Sequence, residues 1–261
     1  MSTELHLGSE VFGCSIDVAR GARLSSLRIN ARERLVPFSP ELRPTGWGAF
    51  PMVPYAGRVR DGKLSHEGQA YQLPLTSGPH SSHGTVLGVG WTMVEHSATL
   101  AVLKTGLGPN WPFSGQVLHR ISLDPVARTV TCVLKVSTES PSMPAMVGWH
   151  PWFLRPATLE VAFSELYERD DRSIPTGKRV APSPGPWDDC FTGALHPPVV
   201  HLEDGVRIRL ESDCDHWVIY DKPTHALCVE PQSGPPNAFN LAPQVVTPEQ
   251  PLERTLVMRV L

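Results

Sequence analysis

Proline occurs 27 times in a chain of 261 residues, about twice its usual share of roughly 5%. Each proline removes a backbone donor and breaks helix interiors, so this density argues against an all-helical fold. It does not argue for disorder. Hydrophobic residues make up 41% of the chain, charged residues only 19%, and seven tryptophans need a core or a binding cleft. A chain of this length buries a sizeable core, and one large domain over residues 1–261 is the expectation.

The hydrophobic pattern is that of strands. In Arg128–Ser137, Val130, Cys132, Leu134 and Val136 share one face while Thr129, Thr131 and Lys135 share the other; Val133 breaks the polar side. Val206–Leu210 alternates cleanly, and similar runs cover Gln116–Leu123, Leu159–Phe163, Trp217–Tyr220, Ala226–Val229 and Arg254–Leu261. Turn-forming clusters at Pro141–Pro144, Pro182–Pro186 and Ser233–Asn237 separate them. No window sustains a helical period. Thr176–Pro198 is rich in proline but holds Trp187 and Phe191, which suits a structured loop. The pattern predicts an all-β chain forming a large antiparallel β-sandwich.

Lys plus Arg is 23 and Asp plus Glu is 26, a formal net charge of −3. That balance gives no global drive toward nucleic acid or an anionic membrane. No segment approaches the roughly 20 apolar residues of a membrane span. Met1–Gly13 has no apolar core of signal-peptide length, and the five scattered cysteines never form a C-x-x-C pair. Reduced thiols in a cytoplasmic protein are expected.

Chemistry-bearing side chains cluster among aromatics and glycines. His150 stands in Gly148-Trp-His-Pro-Trp-Phe153, between two indoles. Flat aromatic faces suit the C–H faces of a pyranose, and histidine exchanges protons near neutrality. The same histidine is equally readable as a core residue bonded to a backbone carbonyl. Glu230 follows the apolar Ala226-Leu-Cys-Val229 and precedes Pro231, so it reads as a carboxylate where a buried strand ends. Burial there makes it a tuned base; the alternative is a carboxylate turned to solvent.

Arg58 and His83 stand in Gly-rich turns, where side chains converge on a ligand; a surface ion pair and a turn-held histidine are the plainer alternatives. Asp188 and Asp189 follow Trp187, and either one carboxylate meets hydroxyl groups or Asp188 begins a turn. His80-Ser-Ser-His83 offers two metal ligands but lacks an H-E-x-x-H motif and a cysteine pair, so no metal is expected. Serine-hydrolase and P-loop signatures are absent as well.

The ordered segments Pro54-Tyr-Ala-Gly-Arg-Val-x-x-Gly62, Gly68-x-x-Tyr-x-Leu73, His83-Gly-x-x-x-Gly88, His150-Pro-Trp-Phe153, Asp188-x-x-Phe191 and Glu230-Pro-Gln-Ser-Gly234 resemble the aldose 1-epimerase (galactose mutarotase) family. Gly21–Leu27 resembles that family's opening strand. The resemblance implies a galactose mutarotase-like supersandwich with a monosaccharide in an open cleft. It implies Glu230 as general base, His150 as general acid, and Arg58, His83 and Asp188 as substrate-binding residues. The implied reaction opens the ring, rotates the C1–C2 bond and recloses on the other carbonyl face, with no metal, nucleotide or other cofactor.

The chain departs from the family pattern in being short, in having Gly57 where Asn is usual before the arginine, and in following His150 with Pro151-Trp152. These departures bear on the sugar more than on the reaction. A hexose-6-phosphate 1-epimerase and a noncatalytic sugar-binding protein are the alternatives. The prolines beside the candidate residues, Pro54, Pro151 and Pro231, are expected to stiffen the loops that aim them.

Overall fold

The structure, a computed structural model, describes residues 4–261. The first three residues of the N-terminal segment read above lie outside the described residues. Two large antiparallel sheets dominate. One has 11 strands: ten follow the path Glu4–Gly8, Phe12–Asp17, Arg23–Ile29, Ala49–Met52, Gly148–Leu154, Ala226–Gln232, His216–Tyr220, Asp188–Ala194, Phe163–Arg169, Pro175–Val180, and Arg32–Glu33 pairs with Arg23–Ile29 beside it. The other has 8 strands: Thr92–His96, Leu100–Gly106, Gly115–Asp124, Thr129–Thr138, Leu252–Val260, Arg207–Ser212, Val199–Leu202 and Ala157–Glu160. The longest helix among the described residues is Ala238–Leu241, a single turn. None is long and apolar enough to cross a membrane.

Alternation decides which side chains fill the space between the sheets. Val130, Cys132, Leu134 and Val136 are buried while Lys135 is exposed, and Ile208 and Leu210 behave likewise. Trp149 crosses the interior to the other sheet, where its Nε1 donates to His119 Nε2 at 3.3 Å. All five cysteines are free and buried.

Three local expectations are corrected. Leu159–Phe163 is not one strand, because the chain leaves the eight-stranded sheet after Glu160 and enters the other at Phe163. Thr176–Pro198 is not a loop throughout, since it contains most of Pro175–Val180 and all of Asp188–Ala194. Glu230 does not end its strand: pairing continues to Gln232, and every residue from Ala226 to Gln232 is buried.

Candidate active site

His150 and Glu230 meet because of strand register. Gly148 pairs with Gln232 and Trp152 with Cys228, so the same register sets His150 opposite Glu230. Period-two alternation then gathers His150, Trp152, Cys228, Glu230 and Gln232 on one face, with Trp149 turned to the core. His150 Nε2 lies 3.2 Å from Glu230 Oε1. The two residues are only 5% and 2% exposed.

Pro151 and Pro231 bracket this pair from within the strands, not from loops as expected. Trp152 donates its N–H to Gly48 O, on the far side of its strand, and Ser233 donates to Val147 O. Alternation therefore turns the nitrogens of both prolines onto the seam between the two strands. No ladder pair forms on that seam from Trp149 to Pro151. Proline in a central strand costs ladder bonds, and here the missing donors fall beside the His–Glu couple.

The imidazole of His150 is held by rings. Phe50, its cross-strand neighbour, stacks on it at 4.7 Å, and Trp152 stacks on the other side at 5.2 Å. His83 meets it edge-on at 5.2 Å. Gln232 Nε2 donates to Glu230 Oε2 at 3.1 Å. Three buried polar atoms here, His150 Nδ1, Trp152 Nε1 and Gln232 Oε1, have no partner among the described residues. Buried polar groups are ordinarily bonded, so these three atoms keep hydrogen-bonding capacity that the protein itself does not use.

Arg58 and His83 come from the excursion between Met52 and Thr92. Arg58 opens the two-residue strand Arg58–Val59, which pairs with Ser81–Ser82; it is not in a turn. His83 follows with φ 60° and donates its N–H to Gly57 O, while its Nδ1 lies 2.9 Å from Met52 Sδ. Gly84 continues in the left-handed region at φ 82°, and a Cβ there would overlap the Val53 carbonyl. Arg58 makes no ion pair and no side-chain hydrogen bond among the described residues, whereas Arg60 is paired with Asp170 and Arg172 with Asp61.

Asp188 begins a strand and does not start a turn. It pairs with Tyr220, which pairs with Cys228, so register sets it on the face of Glu230. Arg169 lies closer to Asp189, at 2.8 Å, than to Asp188, at 3.5 Å.

Burial separates the proton affinities of the couple. It raises the Glu230 carboxyl well above the usual carboxylate range, with the charge of Asp188 adding to it and the Gln232 donor and Arg58 opposing. It lowers His150 well below the usual imidazole range, with His83 acting the same way. His83 itself is brought down to about 4 by burial and then by Arg58. Both shifts favour the uncharged forms of the two side chains, the carboxylic acid and the neutral imidazole.

Sequence reasoning missed Phe50, Cys228 and Gln232 at this site. The last two were findable, since both alternate with Glu230 on one strand. His150, Cys228 and Glu230 also present nitrogen, sulfur and oxygen atoms that all lie within 4.8 Å of one another.

The antiparallel supersandwich carries a buried histidine–glutamate couple on its central strands. The family model for aldose 1-epimerase matches residues 13–256; the chain belongs to that family. It is 26% identical to the uncharacterized Escherichia coli protein YihR over 85% of this chain and 82% of the other. Its fold is similar to that of a galactose mutarotase-like protein from Clostridium acetobutylicum, with TM-score 0.88, 15% identity and coverage of 99% and 95%. A galactose 1-epimerase from Lactobacillus acidophilus is similar as well, with TM-score 0.81, 16% identity and coverage of 97% and 92%.

Proposed function

We propose that this protein is a mutarotase that interconverts the α and β anomers of a free aldose. The observation that carries the reading is the buried His150–Glu230 couple at 3.2 Å, flanked by an uncompensated Arg58 guanidinium and an aromatic wall. O1 and O5 of a hemiacetal share one carbon, so a base and an acid about one hydrogen-bond length apart serve both at once.

In the reactive form the shared proton sits on His150 and Glu230 is ionised. Glu230 takes the proton from the C1 hydroxyl as His150 protonates the ring oxygen, and the C1–O5 bond breaks. The sugar becomes an open aldehyde and the couple becomes neutral, the state its burial favours. A raised carboxyl is a stronger base and a depressed imidazole, once protonated, a stronger acid, so both shifts push toward ring opening. Rotation about C1–C2 and the reverse transfers close the ring with C1 inverted. No atom is gained or lost.

Arg58, His83 and Asp188 hold the sugar hydroxyls in this reading. The free aldose is preferred over a hexose 6-phosphate because Arg60 and Arg172 are neutralised by Asp170 and Asp61, leaving Arg58 without a cationic neighbour to form a phosphate site.

Polarimetry tests the proposal. The purified protein is expected to accelerate mutarotation of at least one common aldose, and Glu230→Gln to lower kcat by about 10²–10⁴ while sugar binding persists. Failure on every common aldose and aldose phosphate refutes the enzymatic reading; undiminished turnover by Glu230→Gln refutes the assignment of the base.

A further inference from the structure

We propose that His150, Cys228 and Glu230 form a binding site for a thiophilic divalent cation, Zn²⁺ foremost, whose occupation switches off the acid–base couple. The three ligand atoms lie within 4.8 Å of one another and all three residues are buried. They stand on two adjacent central strands and point from the same face, so the cluster is held by the sheet and not by loops.

The spacing of the nitrogen and oxygen ligands suits tetrahedral coordination. Zinc–nitrogen and zinc–oxygen bonds of about 2.0–2.2 Å set neighbouring ligand atoms about 3.4 Å apart, and Nε2 and Oε1 are 3.2 Å apart. One nitrogen, one thiol sulfur and one carboxylate oxygen are a zinc set; magnesium and calcium prefer oxygen alone. Three protein ligands leave a fourth position for water or a sugar hydroxyl.

The balance of charge also fits. Coordination takes the proton of the Cys228 thiol and leaves the His150–Glu230 couple as a neutral imidazole beside a carboxylate as the dication enters. The product, one cation with a thiolate, a carboxylate and a neutral imidazole, has no net charge, which makes burial tolerable. The cation then occupies the space across which the catalytic proton moves. Binding does not depend on the mutarotase reading; only its inhibitory consequence does.

Cobalt(II) is the probe, added to the metal-stripped full-length protein. One equivalent is expected to give a thiolate-to-cobalt charge-transfer band with intense tetrahedral d–d absorption, and Zn²⁺ to abolish both. Cys228→Ser, with Cys228→Ala as a second variant, is expected to lose the charge-transfer band and bind at least about 100-fold more weakly, beyond the loss from an outer-shell partner. Where the protein is active, Zn²⁺ is expected to inhibit the wild type and be reversed by chelator, and the turnover that each variant retains, whatever its level, is expected to resist Zn²⁺. Absence of the band in the wild type overturns the proposal, as does its persistence in both variants. A band in the cobalt-loaded protein, with no mutarotation of any common aldose or aldose phosphate by the metal-free protein, would instead sustain the site and refute the enzymatic reading.

Discussion

His119 offers a sharp test of how this sandwich responds to acid. Its ring is buried between the sheets, with Nδ1 bonded to Ala22 O at 3.2 Å and Nε2 accepting from Trp149 Nε1 at 3.3 Å. Those partners fix a neutral tautomer with its proton on Nδ1. Burial brings its pKa from 6.5 down to about 4, the Ala22 carbonyl only partly opposing.

Between those two values the unfolded chain binds a proton that the folded protein refuses. Stability is therefore whole above about pH 6.5 and falls as pH drops toward 4, at up to about 1.4 kcal/mol per pH unit. The gap between 6.5 and about 4 amounts to about 3 kcal/mol in all. His119→Gln keeps an oxygen to accept from Trp149 and an amide to donate to Ala22, but does not titrate. Urea melts at half-unit steps from pH 7.5 to 4.5 should show the variant within about 1 kcal/mol of wild type at neutrality, with a flatter decline below. His83, also near 4, titrates in both proteins and cancels in the comparison. Parallel decline of the two curves would refute the reasoning.

Two further outcomes are expected. Gly84→Ala must leave the left-handed region and displace the Val53 carbonyl, so it should cost about 2–4 kcal/mol in chemical denaturation and lower kcat by moving His83. Arg58→Met should reduce kcat/KM about 10- to 100-fold, mainly through KM, because a charge-assisted hydrogen bond contributes about 1.5–3 kcal/mol; its thermal midpoint should stay at the wild-type value. An unchanged KM would remove Arg58 from the binding site.

The sheet architecture was legible because alternation is a local property. Val130 to Val136 and Ile208 to Leu210 report their buried faces without knowledge of any partner strand. What alternation does not report is which sheet a strand joins. The run from Leu159 to Phe163 keeps its apolar character while the chain passes from one sheet to the other, so it read as one strand. Pro231 concealed the end of the Glu230 strand for a different reason. A proline ordinarily closes a central strand, but on this seam its missing donor faces another strand that also carries a proline. At the site, the tryptophans and prolines around His150 and Glu230 were visible in the sequence. The stacking of Phe50 on His150 was not, since it depends on a cross-strand pairing between distant segments.

The seam with its two prolines divides labour within the molecule. His150 and Glu230 stand on the middle strands of an 11-stranded sheet, whereas Arg58 and His83 stand on an excursion that leaves the sheet after Met52. Insertions and exchanges in that excursion leave the His150–Glu230 pairing in place, because the strands that set its register lie outside the excursion. On the proposed mutarotase reading, such a chain can vary its choice of substrate while the histidine and glutamate stay in register.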